Sequence, residues 1–239
     1  MTRNNIMRGA ALVVLVSLAA AFFYFGLHRH LTLDSLKANH EWMANAVGEH
    51  VLIAAAIFVA AYAVVVALSI PGAVVMTLAG GLLFHAVLGG LLAVIGATLG
   101  ATIVFLAARG LFGALLRDKA GPFVQKLEAG FRANAFYYLL FLRLVPGFPF
   151  WVVNLVPAFL GVSLAVFVTA TFIGIIPGTF VYASVGAGLA EIFAAGEDVS
   201  LRDLLTPSLI FGLLGLSVLS LMPIAIKKIR AQRHQSLPR

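Results

Sequence analysis

The stretch that decides the fold is residues 141–149, Phe-Leu-Arg-Leu-Val-Pro-Gly-Phe-Pro. Arg143 precedes two prolines and a glycine, and no other Asp, Glu, Lys or Arg occurs between Ala133 and Ala190. A proline inside a helix removes a hydrogen bond and breaks or kinks the helix. An arginine near the centre of a bilayer costs about 2.5 to 3.5 kcal/mol on insertion scales, so its presence points to a function. The stretch therefore indicates a broken helix inside a membrane, with Arg143 as the candidate ligand contact.

Composition places the whole chain in a membrane. Of its 239 residues, 62% are hydrophobic and only 10% are charged, and the mean hydropathy is +1.06. A soluble domain carries about 25% charged residues, and a membrane span needs about 20 apolar residues. Apolar stretches of about this length or longer lie at 9–27, 51–70, 73–108, 135–190 and 208–226. We therefore predict an all-α polytopic membrane protein without a separate soluble domain.

The apolar stretches predict three regions along the chain. They are an N-terminal transmembrane anchor with an outer segment (1–50), a membrane domain (51–190), and an outer loop with the last transmembrane helix and a basic tail (191–239). Arg3 and Arg8, ahead of the first apolar run, also resemble the start of a signal peptide. Because that run continues to Phe25, past the alanines where cleavage would fall, the sequence favours an uncleaved anchor.

The charged residues predict the orientation in the membrane. Segment 109–132 carries five cations against two acids, and the tail from Lys227 carries five cations and no acid. Segment 191–203 carries four acids against one cation. By the positive-inside rule, both termini and segment 109–132 are cytoplasmic, and the expected location of so short a chain is a bacterial inner membrane. These interfacial cations account for the net charge of +7 without nucleic acid.

The membrane domain is predicted to be an inverted repeat. Residues 135–145 and 150–161 are roughly 16 and 18 Å long as helices, about half of a bilayer core, so they form a re-entrant hairpin that is followed by a span. A shift of 78 residues aligns the first half with the second, and the first half has its own break at Pro71-Gly72. Over residues 71–110 the alignment has eight identities, of which four are proline or glycine. The alternative is coincidence among glycines. The predicted units are repeat 1 (51–110), a cytoplasmic amphipathic connector (111–134) and repeat 2 (135–190).

Several short motifs resemble one known family. They are Ile70-Pro71-Gly72, the Gly-Gly-Leu-Leu-Phe of 80–84, the stretch 141–149, Asn154 and Gly161. Together they resemble the VTT-domain superfamily over about residues 50–190, and the SNARE-associated Golgi vesicle-protein branch more than the bacterial DedA branch. The resemblance implies two opposed re-entrant loops, an integral-membrane location and, where activity is known, movement of lipid between leaflets.

The chain departs from the DedA pattern at two positions. Ala73 stands where an acidic residue commonly follows Pro-Gly, and Pro149 stands where a second arginine follows the first. No Asp or Glu occurs between Val51 and Ala108 or between Ala133 and Ala190. An acid that would take up a proton is therefore missing from these two apolar segments, which argues against proton-coupled transport.

Three side chains are candidates for substrate binding. Arg143 offers a planar fork of donors to a phosphate or carboxylate, or else it ties down carbonyls freed by the prolines. Asn154 donates to a headgroup or joins helices, and Tyr182 contacts a substrate or is satisfied within the bundle. The remaining candidates are structural: the re-entrant-loop breaks Pro71, Gly72, Pro146, Gly147 and Pro149, and the helix-packing glycines Gly96, Gly100, Gly174 and Gly178.

The sequence lacks the common motifs for catalysis and cofactor binding. The chain has no cysteine, no Walker loop, no Gly-x-Ser-x-Gly elbow and no paired carboxylates in its apolar core. We therefore predict no enzyme, cofactor or metal site. The predicted partners are membrane lipids, especially anionic ones. A homo-oligomer is an alternative that the sequence leaves open.

Three functions fit these residues. The first is a transporter that moves or scrambles anionic lipid, with Arg143 contacting the phosphate between opposed hairpins. The second is a small-anion or solute carrier that uses the same site. The third is a non-transporting membrane organiser whose hairpins thin the bilayer or bind a partner.

Overall fold

The computed structural model describes residues 32–70, 72–117, 134–145, 148 and 150–194, together with isolated positions nearer both ends. All regular structure in these residues is helical, which confirms the predicted all-α class. The helices are α1 (Leu33–Glu49), α2 (Val51–Ala67), α3 (Ala73–Arg117), α4 (Ala135–Leu144), α5 (Phe150–Phe159) and α6 (Leu164–Ala194). Most of the predicted anchor, the connector from 118 to 133 and the outer loop and tail lie outside the described residues.

Two segments within these helices are long and apolar enough to cross a membrane. By length and composition they are Ala73–Gly110 in α3, of which the part after the kink at His85 is still about 25 residues long, and Leu164–Leu189 in α6. On α3, Ile95, Leu99 and Ile103 recur every fourth residue and are between 42% and 49% exposed. An exposed apolar stripe of this kind is the surface that a lipid-facing helix presents.

The α3 helix reverses direction at His85. The backbone of His85 has φ 63° and ψ 169°, values that no helix allows. A Cβ on Gly89 would overlap the backbone of Gly80, although the two would stand roughly 13 Å apart along a straight helix. We therefore treat α3 as two helices, α3a (residues 73–84) and α3b (residues 86–117), that pack against each other.

Two helices end in a left-handed residue that satisfies their last carbonyls. After α2, Ser69 has φ 53°, and the N–H of Ile70 donates to the carbonyl of Val65 at 3.0 Å. The same arrangement closes α5 at Gly161, whose φ is 66°. This is the Schellman motif, which ends a helix and turns the chain sharply.

The two halves of the domain share one order of elements. A helix, a second short helix and a long helix follow one another as α2, α3a and α3b, and again as α4, α5 and α6. The 78-residue shift places His85 on Ser163, so α3b and α6 begin at aligned residues.

Each short second helix packs against the long helix of the other half. Leu78 of α3a contacts Gly186 of α6, where a side chain larger than hydrogen would overlap the backbone of Leu78. In the other half, Ala158 of α5 lies in one buried cluster with Phe105 and Ala108 of α3b. These contacts join the two halves, and the core lies between them.

The helix α1 covers one end of this bundle. The hydroxyl of Thr32 caps it by accepting from the N–H of Ser35 at 3.2 Å. Its Leu36 is buried against Leu189 and Phe193 of α6. The helix therefore belongs to the same packed body as the membrane domain.

Candidate functional site

Arg143 joins three helices. It lies in the last turn of α4, where a cation is stabilised by the negative end of the helix dipole by about 0.3 to 1 kcal/mol. Its Nη2 donates to Oδ1 of Asn154 on α5 at 2.8 Å and to Oγ1 of Thr171 on α6 at 3.0 Å. Both acceptors are buried, with exposed fractions of 0% and 1%. One guanidinium nitrogen thus ties α4 to both following helices.

An aromatic ring supports the same guanidinium. The Cζ of Arg143 lies 5.4 Å from the ring centroid of Phe167, which is buried on α6. Phe167 in turn stacks on Phe105 of α3b, with 4.2 Å between centroids and 19° between planes. A cation over an aromatic face gains about 0.5 to 2 kcal/mol, more where water is excluded. The first half of the domain therefore helps to hold the arginine of the second.

Gly174 allows α4 to lie against α6 at the level of the arginine. A Cβ on Gly174 would stand 2.7 Å from the Cβ of Arg143, closer than real Cβ contacts occur. Phe167, Thr171 and Gly174 recur at helical spacing, so one face of α6 provides the ring, the hydroxyl and the space for Arg143. The position of the arginine is thus fixed by α6.

Two buried donors at this cluster have no partner within the described residues. They are Nε of Arg143 and Nδ2 of Asn154. Because Arg143 can only donate, the oxygen of the Asn154 amide must face it, which directs the amide nitrogen elsewhere. Each buried donor left without a partner costs about 1 to 3 kcal/mol.

The chemistry of the cluster fits an anion. Both unpartnered groups are N–H donors, one of them on a cation, and segment 133–190 contains no carboxylate that would pair with Arg143. A phosphate or carboxylate oxygen would accept from these donors in charge-assisted hydrogen bonds, about twice as strong as neutral ones. The residues present therefore form a positively charged, donor-rich site.

The first half has a neutral polar cluster in a related place. The hydroxyl of Tyr62 on α2 donates to the carbonyl of Ala73 at 3.0 Å and lies 2.9 Å from Oγ1 of Thr77. The hydroxyl of Thr77 also donates to Ala73, at 2.8 Å. The 78-residue shift places Val65 on Arg143, so this cluster has no counterpart of the arginine charge. The two hydroxyls have two hydrogens for these three contacts, so they share the carbonyl of Ala73 and join α2 to α3a.

The structure brings two of the three predicted substrate contacts together. Arg143 and Asn154 share a hydrogen bond, as described. Tyr182 is half-buried on α6, roughly 16 Å along the helix axis beyond Thr171, and so lies outside this cluster. Thr171 and Phe167 belong to the cluster as well, and their only signal in the sequence is their helical spacing ahead of Gly174.

The predicted packing glycines line the long helices. A Cβ on Gly96 would lie 2.8 Å from that of Tyr62 on α2, and Gly100 contacts the same helix one turn later. Gly174 makes the corresponding contact with α4, and Gly178 is half-buried on α6.

The predicted break residues flank the short helices. Gly72 immediately precedes α3a, and its carbonyl accepts from the N–H of Met76 at 2.9 Å. The others lie outside the described residues: Pro71, Pro146, Gly147 and Pro149.

These features define the class as a helical integral-membrane protein with a partly buried arginine at the junction of three helices. Comparison with known families then gives the family: the VTT domain matches residues 70–188, and the chain belongs to the VTT-domain family. The resemblance seen in the sequence motifs is thereby confirmed.

Named relatives agree with this assignment. The transmembrane protein 41 homolog of Dictyostelium discoideum is 34% identical over 171 residues, covering 70% of this chain and 49% of the relative. Transmembrane protein 41B of Homo sapiens is 30% identical over 182 residues, covering 74% of this chain and 60% of the relative. The chain thus spans about half to three fifths of the length of these relatives. No solved structure matches it significantly.

Proposed function

We propose that this protein moves anionic phospholipids between the leaflets of a membrane, with Arg143 contacting the lipid phosphate. The main support for this proposal is the pair of buried donors without a partner in the described residues, Nε of Arg143 and Nδ2 of Asn154. The proposal agrees with the lipid movement that the family resemblance implies.

The arginine can bind an anion without breaking its contacts to the fold. Its Nη2 holds Asn154 and Thr171, while its Nε is left for a ligand. Hydrogen bonds to charged groups contribute about 1.5 to 3 kcal/mol each, so two such bonds offset a substantial part of the desolvation of a headgroup phosphate. The fatty-acid tails need no site, because the apolar outer surface already lies in lipid.

The lengths of the helices suit a site at mid-membrane. As ten-residue helices, α4 and α5 are each about 15 Å long, half the thickness of a bilayer core. We propose that they form a re-entrant hairpin and that α2 and α3a form its counterpart from the opposite face. The two halves would then be an inverted repeat, an arrangement that puts transport sites near the bilayer midplane between the repeats.

A small soluble anion would satisfy the same donors, so the test must separate lipid from solute. The purified protein is placed in liposomes that contain fluorescent phosphatidylglycerol, and exchange between leaflets is followed with an external quencher. Uptake of radiolabelled phosphate is measured in parallel. Lipid exchange without phosphate uptake is expected.

Arg143→Gln removes the charge, and Arg117→Gln is the matched control because it removes an arginine at the end of α3. The expected result is exchange that falls in Arg143→Gln and persists in Arg117→Gln. Phosphate uptake without lipid exchange would establish the solute carrier instead. If well-folded wild type supported neither flux, the transport proposal would be wrong and membrane organisation would replace it.

A further inference from the structure

A second arginine lies at the other end of the aromatic pair that supports Arg143. Arg109, near the end of the apolar part of α3b, is exposed, and its Cζ is 6.0 Å from the ring centroid of Phe105. Its Nη1 donates to the carbonyl of Val162, in the connection between α5 and α6, at 3.4 Å. The side chain therefore lies where the two halves of the domain meet.

The four side chains form one continuous row. Arg109 contacts Phe105, Phe105 stacks on Phe167, and Phe167 contacts Arg143. The steps of 6.0, 4.2 and 5.4 Å keep the two guanidinium carbons within about 16 Å of each other. That distance is about half the thickness of a bilayer core. The row therefore connects the exposed Arg109 with the more deeply placed Arg143.

Both arginines are held by groups that leave their charge available. Within the described residues, the contacts of Arg109 are a carbonyl oxygen and a ring face, and those of Arg143 are an amide oxygen, a hydroxyl and a ring face. A carboxylate partner would neutralise a guanidinium, whereas carbonyls and rings do not. The two rings between the cations are apolar and fully buried, so they offer neither guanidinium a competing charge.

We propose that Arg109 is a second anion site, which receives the phosphate of an anionic lipid at the membrane surface before Arg143 receives it at the end of the row. This inference rests on the proposed function and deepens it, because it names the entry point of the lipid path. The exposed arginine captures the headgroup from the leaflet at this end of the apolar part of α3b. The tail of the lipid stays in the bilayer while the headgroup moves from one cation to the other.

The first test compares exchange rates of fluorescent phosphatidylglycerol at low and high salt. Exposed charges are screened by salt much more strongly than buried ones. Arg109→Gln is expected to slow exchange about tenfold at low salt, and the difference from wild type should shrink toward none at high salt. Arg109→Lys keeps the charge and should retain most of the rate, and Arg117→Gln should match wild type.

Two results would contradict the site. One is an Arg109→Gln rate equal to wild type at low salt. The other is slowing that is unchanged by salt and accompanied by a lower melting temperature, because this would mark Arg109 as a purely structural tie to Val162.

The second test reports on the site without any transport. Arginine side chains are modified with phenylglyoxal in the full-length protein, in liposomes of phosphatidylcholine alone or mixed with phosphatidylglycerol, and modification of Arg109 is measured by mass spectrometry. Phosphatidylglycerol is expected to protect Arg109 in wild type and also in Arg143→Gln. Equal modification in both lipids would overturn the inference.

The two tests separate the two proposals. Protection of Arg109 without lipid exchange would leave the anion site standing and refute the proposed function. Exchange that depends on Arg143, with Arg109 unprotected, would leave the proposed function standing and refute the entry site.

Discussion

At Arg143, structural support and ligand binding use different atoms of one side chain. Nη2 ties α4 to α5 and α6, and Nε is the donor without a partner. The two roles considered from the sequence, ligand contact and structural tie, therefore do not exclude each other. A substitution that keeps the tie and changes only the free donors can distinguish them.

Asn154→Asp is that substitution. It keeps the oxygen that accepts from Arg143 and replaces the unpartnered amide nitrogen with a second oxygen, at almost the same volume. A carboxylate pairs with the guanidinium and repels an incoming phosphate, so we expect lipid exchange to fall about tenfold or more while the melting temperature holds or rises. Leaflet exchange and thermal unfolding in detergent measure the two effects.

Asn154→Leu provides the control for that experiment. Leucine also removes the hydrogen bond to Arg143, so Arg143 loses one of its two acceptors. We therefore expect a lower melting temperature. Exchange at the wild-type rate in Asn154→Asp would show that the amide donor has no part in transport.

The residues of this site differ in how far the sequence reveals them. Arg143 and Asn154 are polar groups in an apolar stretch, and the free-energy cost of placing them in a membrane is the signal that predicts them. Phe167 and Thr171 are ordinary residues of an apolar helix, and nothing local marks them. Their place in the site depends on a contact between α4 and α6, which a single sequence does not encode locally.

At the scale of elements, the position of Arg143 depends on how closely α4 approaches α6. Gly174→Ala is expected to push α4 away, because its Cβ would stand 2.7 Å from that of Arg143. The guanidinium would then move from its ring and its acceptors, and we predict slower lipid exchange by about tenfold or more. Exchange assays in liposomes check this rate.

Gly188→Ala is the matched control on the same helix. A Cβ on Gly188 would meet nothing within 4 Å, so exchange should stay at the wild-type rate. Equal rates for Gly174→Ala and wild type would mean that close packing at this level is not required.

The Schellman motifs give a prediction on stability. Ser69 holds a left-handed conformation that is unfavourable for a residue with a side chain by about 1 to 2 kcal/mol, whereas glycine adopts it freely. We expect Ser69→Gly to raise the free energy of unfolding by up to about 1 kcal/mol and Gly161→Ala to lower it by about 1 to 2 kcal/mol. Unfolding in mixed detergent micelles gives both values, and a destabilising Ser69→Gly would contradict this account of the turn.

The sequence predicts the helices better than their reversals. Proline and glycine mark the breaks before α3a and α5, because their effect on the backbone is local. The predicted hairpin and span require a reversal in this region, but the sequence does not place it at His85, since neither residue type stands there. Packing of Gly80 against Gly89 holds that turn, so its cause lies in a tertiary contact.

At the scale of the whole molecule, the two halves are alike in plan and different in polarity. Both contain two shorter helices and a long one, yet the first half joins its helices with hydroxyls and the second with a charge. The polar cluster among the three helices is therefore cationic in the second half and neutral in the first. A sequence comparison of the halves would overlook this asymmetry, because half of their identities are glycines and prolines and none is a charged residue.

The proposed orientation can be tested on a chain that contains no cysteine. Single cysteines at Ala120 in the basic connector and Ser236 in the basic tail should react with an impermeant thiol reagent from one side of the membrane, and a cysteine at Ala195 from the other. Labelling in intact cells and in inverted vesicles gives the result. Labelling of all three positions from one side would rule out the proposed arrangement of the halves.

The central claim is that Arg143 contacts a lipid phosphate, and the most direct measurement compares a phospholipid with a lipid that lacks phosphate. Exchange of fluorescent phosphatidylglycerol and of a fluorescent neutral glycolipid is measured in the same liposomes with wild type, Arg143→Lys and Arg143→Gln. We predict that Arg143→Gln slows the phospholipid about tenfold to a hundredfold and the glycolipid far less, with Arg143→Lys between wild type and Arg143→Gln. Equal slowing of both lipids, or of neither, would contradict a phosphate contact at Arg143.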